Sequence, residues 1–336
     1  MQLATDSAKV TVHATVTDLG CSFGGMALAL GAPETISARA IAGPTRLSLS
    51  GEAAEDPTTV GLSAEEYPTV RSLRALLDSV GASQVGLHLQ YAGRIPPASG
   101  LGSRSAKILA GLLIGRQLLG NPDGITDRYL ATLATDLGAD RLRISALMNG
   151  PLSLSVPLDA GNDPIWCAAV NARISPVGFV PSIRLGRAPK APQKPRVAYF
   201  DDAARASARA AVLVAALVGG GIGTSRSGGS PSNEKDAEVR DDGATDLTDE
   251  AAILREQLVA GTGDDLRWDE VSARLPASAA LTDWLRELGL PAFVSGDGPA
   301  VVSLVRPRTE VLEAAQRSGW RVIELACNRE SPVETQ

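Results

Sequence analysis

A chain of 336 residues, 44% hydrophobic and 21% charged, has the balance of a globular protein large enough for two lobes. Its formal charge of −6 and 4% aromatic content exclude a sequence-independent grip on nucleic acid, which needs clustered cations and stacking platforms. Three widely spaced cysteines (Cys21, Cys167, Cys327) and only two histidines exclude a disulfide framework, a thiolate zinc site and a histidine-rich metal centre.

No apolar run reaches membrane-spanning length and no charged-then-apolar leader opens the chain, so a cytoplasmic protein without a membrane partner is expected. Lys9–Thr17 alternates Val10, Val12, Ala14 and Val16 with Thr11, His13, Thr15 and Thr17. That period predicts a strand with His13 on its more polar face. Thr69–Val80 carries Val70, Leu73, Leu76 and Leu77 at helical spacing, and Val85–Tyr91 alternates as a second strand. A glycine-rich loop follows at Ile95–Ala106, then a helix through Leu118 that stops at Gly120. Asp127–Leu137 predicts another helix and Leu152–Val156 a short strand. Prolines around Pro176–Pro181 and Pro189–Pro195 are expected to break regular structure and to separate a lobe of residues 1–185 from one of 196–336. Asp201–Leu217 is an alanine-rich helix. Residues 219–248, nearly free of large apolar side chains, are expected to form a disordered insertion. Helices at Glu250–Val259, Trp268–Leu275 and Leu281–Leu288 and a strand at Ala300–Val305 complete an α+β pattern.

The loop carries the chemistry. Gly100 and Gly102 let backbone approach a ligand closely. Ser103 and Ser105 bring hydroxyls and free N–H groups to a helix start, where the dipole favours an anion, and Arg104 adds a fixed positive charge. Gly100, Leu101, Gly102, Ser103, Arg104 and Ser105 are therefore the candidate phosphate or pyrophosphate contacts. A bare Gly-x-Gly-Ser also fits an ordinary capped helix; the preceding Pro96-Pro97 and the long context favour the ligand.

Pro96–Ala106 resembles the second signature of the GHMP superfamily, which includes galactokinase, homoserine kinase and mevalonate kinase. Val12–Leu30 resembles the first signature and Val294–Ala300 the third. The resemblance implies a GHMP-kinase-like two-lobe fold. Compared with homoserine kinase, the substrate-binding Asp of the first signature falls on Gly24. The Glu-Gly-His-Pro-Asp-Asn segment that supplies a magnesium ligand falls near Leu137–Leu142, and leucine cannot bind a hard cation. The chain is also similar to β-ribofuranosylaminobenzene 5′-phosphate synthase and formycin-type C-nucleoside synthases. The match runs through His13 and Asp18, Phe23–Leu30, Ile95-Pro-Pro97 and Leu137–Arg143.

That second resemblance implies a decarboxylating C-ribosyltransferase joining phosphoribosyl pyrophosphate to an aromatic or heteroaromatic carboxylic acid, with release of pyrophosphate and CO2. Asp18, with His13 nearby, would stabilise oxocarbenium character. Gly24, Gly25, Arg141 and Arg143 would hold the acceptor, the arginines pairing with its carboxylate, although by default they form a solvated loop pair. Ser295, Gly296, Asp297 and Gly298 would form the C-terminal loop. Mg2+ is inferred from the substrate, with Asp297 a place for it and no protein ligand assigned. A homodimer follows by family analogy. The alternatives are an atypical ATP-dependent GHMP small-molecule kinase and a non-catalytic phosphometabolite-binding homologue.

Overall fold

The structure is a computed structural model that describes residues 2–21, 25–155, 165–170, 173–183, 199–219, 247–262, 268–326 and 334–335. The first part of the chain builds β1 (Ser7–Thr17), β2 (Met26–Ile41), β3 (Arg46–Gly51), α1 (Pro68–Ser79), β4 (Gly86–Gly93), α2 (Ser103–Leu118), α3 (Asp127–Asp136), α4 (Arg141–Asn149), β5 (Leu152–Ser155) and β6 (Ile165–Ala168). Then follow β7 (Val177–Pro181), α5 (Phe200–Val218), α6 (Leu247–Gly261), α7 (Trp268–Arg274), α8 (Pro276–Glu287), β8 (Ala292–Val294), β9 (Val301–Ser303), α9 (Thr309–Arg317), β10 (Trp320–Glu324) and β11 (Glu334–Thr335). This is a mixed α+β architecture.

The larger sheet runs β11-β1-β2-β4-β3, with β5 on β2 and β6 on β5. Its β3–β4 pair is parallel. Helix α2 packs between β1 and α1. Ile108, Leu109, Leu112, Leu113 and Leu118 are all buried, as expected of a helix that is apolar around its circumference. Gly111 permits the close approach to α1: a Cβ there would lie 2.0 Å from the Thr69 carbonyl oxygen. The smaller antiparallel sheet, β10-β7-β9-β8, packs Phe179, Val301 and Ala292 against Leu285 of α8 and Leu312 of α9.

Several expectations change. His13 is buried, at 6% exposure, because the β1–β2 register shifts between Val12 and Ala14 and α2 and α4 cover β1. Val177–Pro181 is a strand, with its prolines at the ends, where a missing N–H costs no ladder bond. Val177 and Phe179 are fully buried, and the strand sits between β9 and β10. Sheet membership changes between Ala168 and Val177, and β11 returns to the larger sheet. The proline stretch at 189–195 and residues 220–246 of the expected insertion lie outside the described residues, while 247–248 already belong to α6. Among the described residues no helix is long and apolar enough to cross a membrane.

Candidate active site

The connection from β4 to α2 is held from behind. The N–H groups of Arg94 and Ile95 donate to the Glu34 carboxylate at 3.2 and 2.9 Å, whose second oxygen accepts the Tyr91 hydroxyl. Burial pushes the Glu34 pKa up to about 7, against the pull of these donors and of Lys107. Deeper in α2, Lys107 pairs with Asp56, and both side chains are almost entirely buried. Asp56 also accepts from the Thr58 N–H and hydroxyl.

In front of this support the loop bends sharply. Gly100 has φ +91° and Gly102 φ +81°. A Cβ at Gly100 would lie 2.2 Å from the Ser295 carbonyl, and one at Gly102 would lie 2.0 Å from Thr15 Oγ1. Glycine is required here by conformation and by space together. Gly102 is the N-cap of α2 and offers no side-chain acceptor, so the first-turn N–H groups stay available to a ligand. Ser103 Oγ is buried and has no hydrogen-bond partner among the described residues.

Arg143 knits this loop to β1. Its Nη1 donates to the Thr15 carbonyl and, at 3.0 Å, to Thr15 Oγ1. Its Nη2 donates to Thr17 Oγ1 and to the Gly100 carbonyl, each at 2.9 Å. Ser295 Oγ donates to that same carbonyl at 3.0 Å. Burial lowers the Arg143 pKa, while Asp140, Asp18 and Asp297 pull it back up; a guanidinium stays protonated throughout. Asp18 follows β1 with a left-handed backbone, φ +70°, and is buried.

These groups line a cleft of about 1390 Å³, walled on the far side by residues from Pro57 to Arg71. The structure brings Asp18, Gly100, Gly102, Ser103, Arg104, Ser105, Arg143, Gly296, Asp297 and Gly298 into that cleft. Leu101 instead points inward, fully buried, with its carbonyl accepting the Thr15 N–H at 3.0 Å. Ser295 lies behind the loop as a clamp. His13, Gly25 and Arg141 are not among the lining residues, and Gly24 lies outside the described residues. Arg141 and Arg143 open helix α4, which Asp140 caps by accepting the Arg143 N–H. The expectation that Arg143 pairs with an acceptor carboxylate is corrected: its guanidinium is committed to four protein acceptors.

Sequence reasoning missed Glu34, Tyr91, Asp56, Lys107 and Arg274. A lysine inside the apolar run of α2 was the available signal, since a buried ammonium needs a partner. Arg274 donates to the Asp297 carbonyl at 3.3 Å and stands 3.7 Å from its carboxylate.

The stretch of wall beside the start of α2 offers magnesium no side-chain ligand. The wall beside the start of α2 presents Leu137, Gly138 and Ala139, which carry no side-chain oxygen. Asp140 accepts the main-chain N–H of Arg143 as the cap of α4, Asp297 stands 3.7 Å from Arg274, and Asp18 acts on Arg143 through its charge. Among the described residues no group of three or more His, Cys, Asp and Glu is arranged to hold a metal ion.

The loop and the helix it opens lie within residues 68–155, which match the model of the GHMP kinases N terminal domain. Solved structures agree on the fold: a homoserine kinase from Cytophaga hutchinsonii superposes with a TM-score of 0.70 at 18% identity, covering 100% of this chain and 99% of that one. In sequence, the chain is 29% identical over 326 residues to the homoserine kinase of Streptomyces coelicolor, covering 96% of this chain and 93% of the relative. It is 30% identical over 299 residues to that of Streptomyces avermitilis, covering 89% and 85%. The chain belongs to the homoserine kinase family of the GHMP kinases. This overturns the expected C-ribosyltransferase and with it phosphoribosyl pyrophosphate and an aromatic acid as substrates. The departures at Gly24 and Leu137 are local changes in a chain whose similarity to kinases runs nearly end to end.

Proposed function

We propose that this chain is an ATP-dependent small-molecule kinase that phosphorylates the side-chain hydroxyl of homoserine or of a closely similar hydroxy amino acid. The observation that carries the reading is the start of α2 at the cleft, where Gly102 gives no side-chain cap and Ser103 Oγ has no hydrogen-bond partner among the described residues. Such a helix start binds phosphate oxygens through N–H donors and the dipole. Gly100, Gly102, Ser103, Arg104 and Ser105 cradle the triphosphate. Asp18, in the same cleft, orients the acceptor hydroxyl and takes its proton as the new O–P bond forms and the bond to ADP breaks. Phosphoryl transfer asks the protein mainly for positioning and charge stabilisation, and Arg143 supplies positioning by fixing the loop against β1.

The test is ADP release from ATP with L-homoserine, followed with the Asp18→Asn variant. Turnover is expected to fall by about 10²–10⁴-fold in that variant, with ADP affinity within about threefold of the wild type. Full activity would remove Asp18 from the mechanism. Leu137 beside the loop favours a second reading, a homologue that binds phosphometabolites without turnover. ADP affinity without ADP release for any hydroxy amino acid would establish that reading, and absence of ADP binding would overturn both.

A further inference from the structure

Arg104 sits on the first turn of α2 with an exposed side chain that lines the cleft. Among the described residues it has no hydrogen-bond or ion-pair partner, in contrast to Arg143 and Lys107. Its guanidinium lies against Gly138: a Cβ there would fall 3.0 Å from Arg104 Nη2 and 3.9 Å from Cζ. Gly138 has φ +88°, so the backbone favours glycine beneath the arginine. Leu137 and Ala139 flank it, and neither offers oxygen to a divalent cation. A fixed positive charge therefore occupies the flank of the loop, next to the unpartnered Ser103 Oγ.

We infer that Arg104 is the resident counter-charge for the substrate's phosphates, so that the site takes a nucleoside di- or triphosphate as its metal-free anion. The inference rests on the kinase reading and specifies the form of its nucleotide. A planar guanidinium grips two phosphate oxygens at once, and its charge is carried on the protein at every magnesium concentration. An enzyme that relies on a divalent ion for this contact loses nucleotide affinity in chelator; this one is expected to keep it.

Calorimetric titration of the full chain with ADP, in excess magnesium and in EDTA, tests the idea. Wild-type affinity is expected to agree between the two buffers within about threefold. Arg104→Ser is expected to weaken ADP binding in EDTA about tenfold or more, with Arg104→Lys intermediate because it loses the bidentate grip. Wild-type binding that requires magnesium, or an Arg104→Ser variant that binds like the wild type in EDTA, would overturn this inference and leave the kinase reading standing. No ADP binding in either buffer would overturn both. Thermal melting of the variants, unchanged from wild type, separates loss of a contact from loss of fold.

Discussion

Arg104 and Lys107 stand three residues apart on the same helix and live in opposite environments. Arg104 is exposed on the cleft. Lys107 is 3% exposed, paired with Asp56, and lies 6.0 Å from the centre of the Tyr67 ring. On the inference above, the difference separates a cation kept for a ligand from a cation consumed by the fold. Charge alone does not mark a candidate binding residue; charge without a partner, facing a cavity, is the stronger mark. The same division runs through the whole loop. Its back is closed by Glu34, Tyr91 and Asp56, and its front presents the exposed side chain of Arg104 to the cleft.

Three measurements strain that contrast. The largest effect is expected for Lys107→Met, which leaves the Asp56 carboxylate buried without its counter-ion and costs about 3–5 kcal/mol in urea unfolding; a loss below about 1 kcal/mol would show that Lys107 is not structural. Next comes Glu34. Its folded pKa of about 7 lies above the ordinary 4.5, so the folded state binds the proton more tightly than the unfolded chain. This contribution is complete below the unfolded value and is lost as pH rises through the folded one, up to about 3 kcal/mol in all. Melting temperature is therefore expected to drop between about pH 5 and about pH 8, and Glu34→Gln to flatten that segment of the curve. A wild-type melting temperature that rises over this range would reverse the assignment. The smallest effect is Arg104→Ser on stability, within about 0.5 kcal/mol, although its effect on ADP binding is large. Equal destabilisation by the changes at 104 and 107 would erase the distinction.

The glycine-rich loop and the helix it opens were legible because their information is local: glycines, serines and an arginine in one short run at a helix start. So were β1, β4, α1 and α2, whose apolar spacing is regular. Strand β2 was not, since Met26–Ile41 is rich in Ala and is buried along most of its first half, which removes alternation. Strand β7 hid between prolines that cap its ends. Helix α4 read as a basic loop, although Asp140 was present as its cap. The pairs Glu34–Tyr91, Asp56–Lys107 and Arg274–Asp297 were invisible because each joins distant parts of the chain. The expected reaction failed for another reason. Missing oxygen ligands at Leu137 and Gly24 point to a change of chemistry, whereas the similarity to homoserine kinases runs along nearly the full length.

The Gly100 carbonyl oxygen has a consequence for the order of folding. It accepts from Arg143, 43 residues away, and from Ser295, 195 residues away, so both of its lone pairs are filled by remote segments. Forming these contacts requires the closure of very long chain loops, which are entropically slow steps. The loop therefore reaches its final shape only after the smaller sheet has docked on the larger one. During refolding, helix signal is expected to recover before nucleotide binding, and the lag between the two reports the time needed to bring residue 295 back to residue 100.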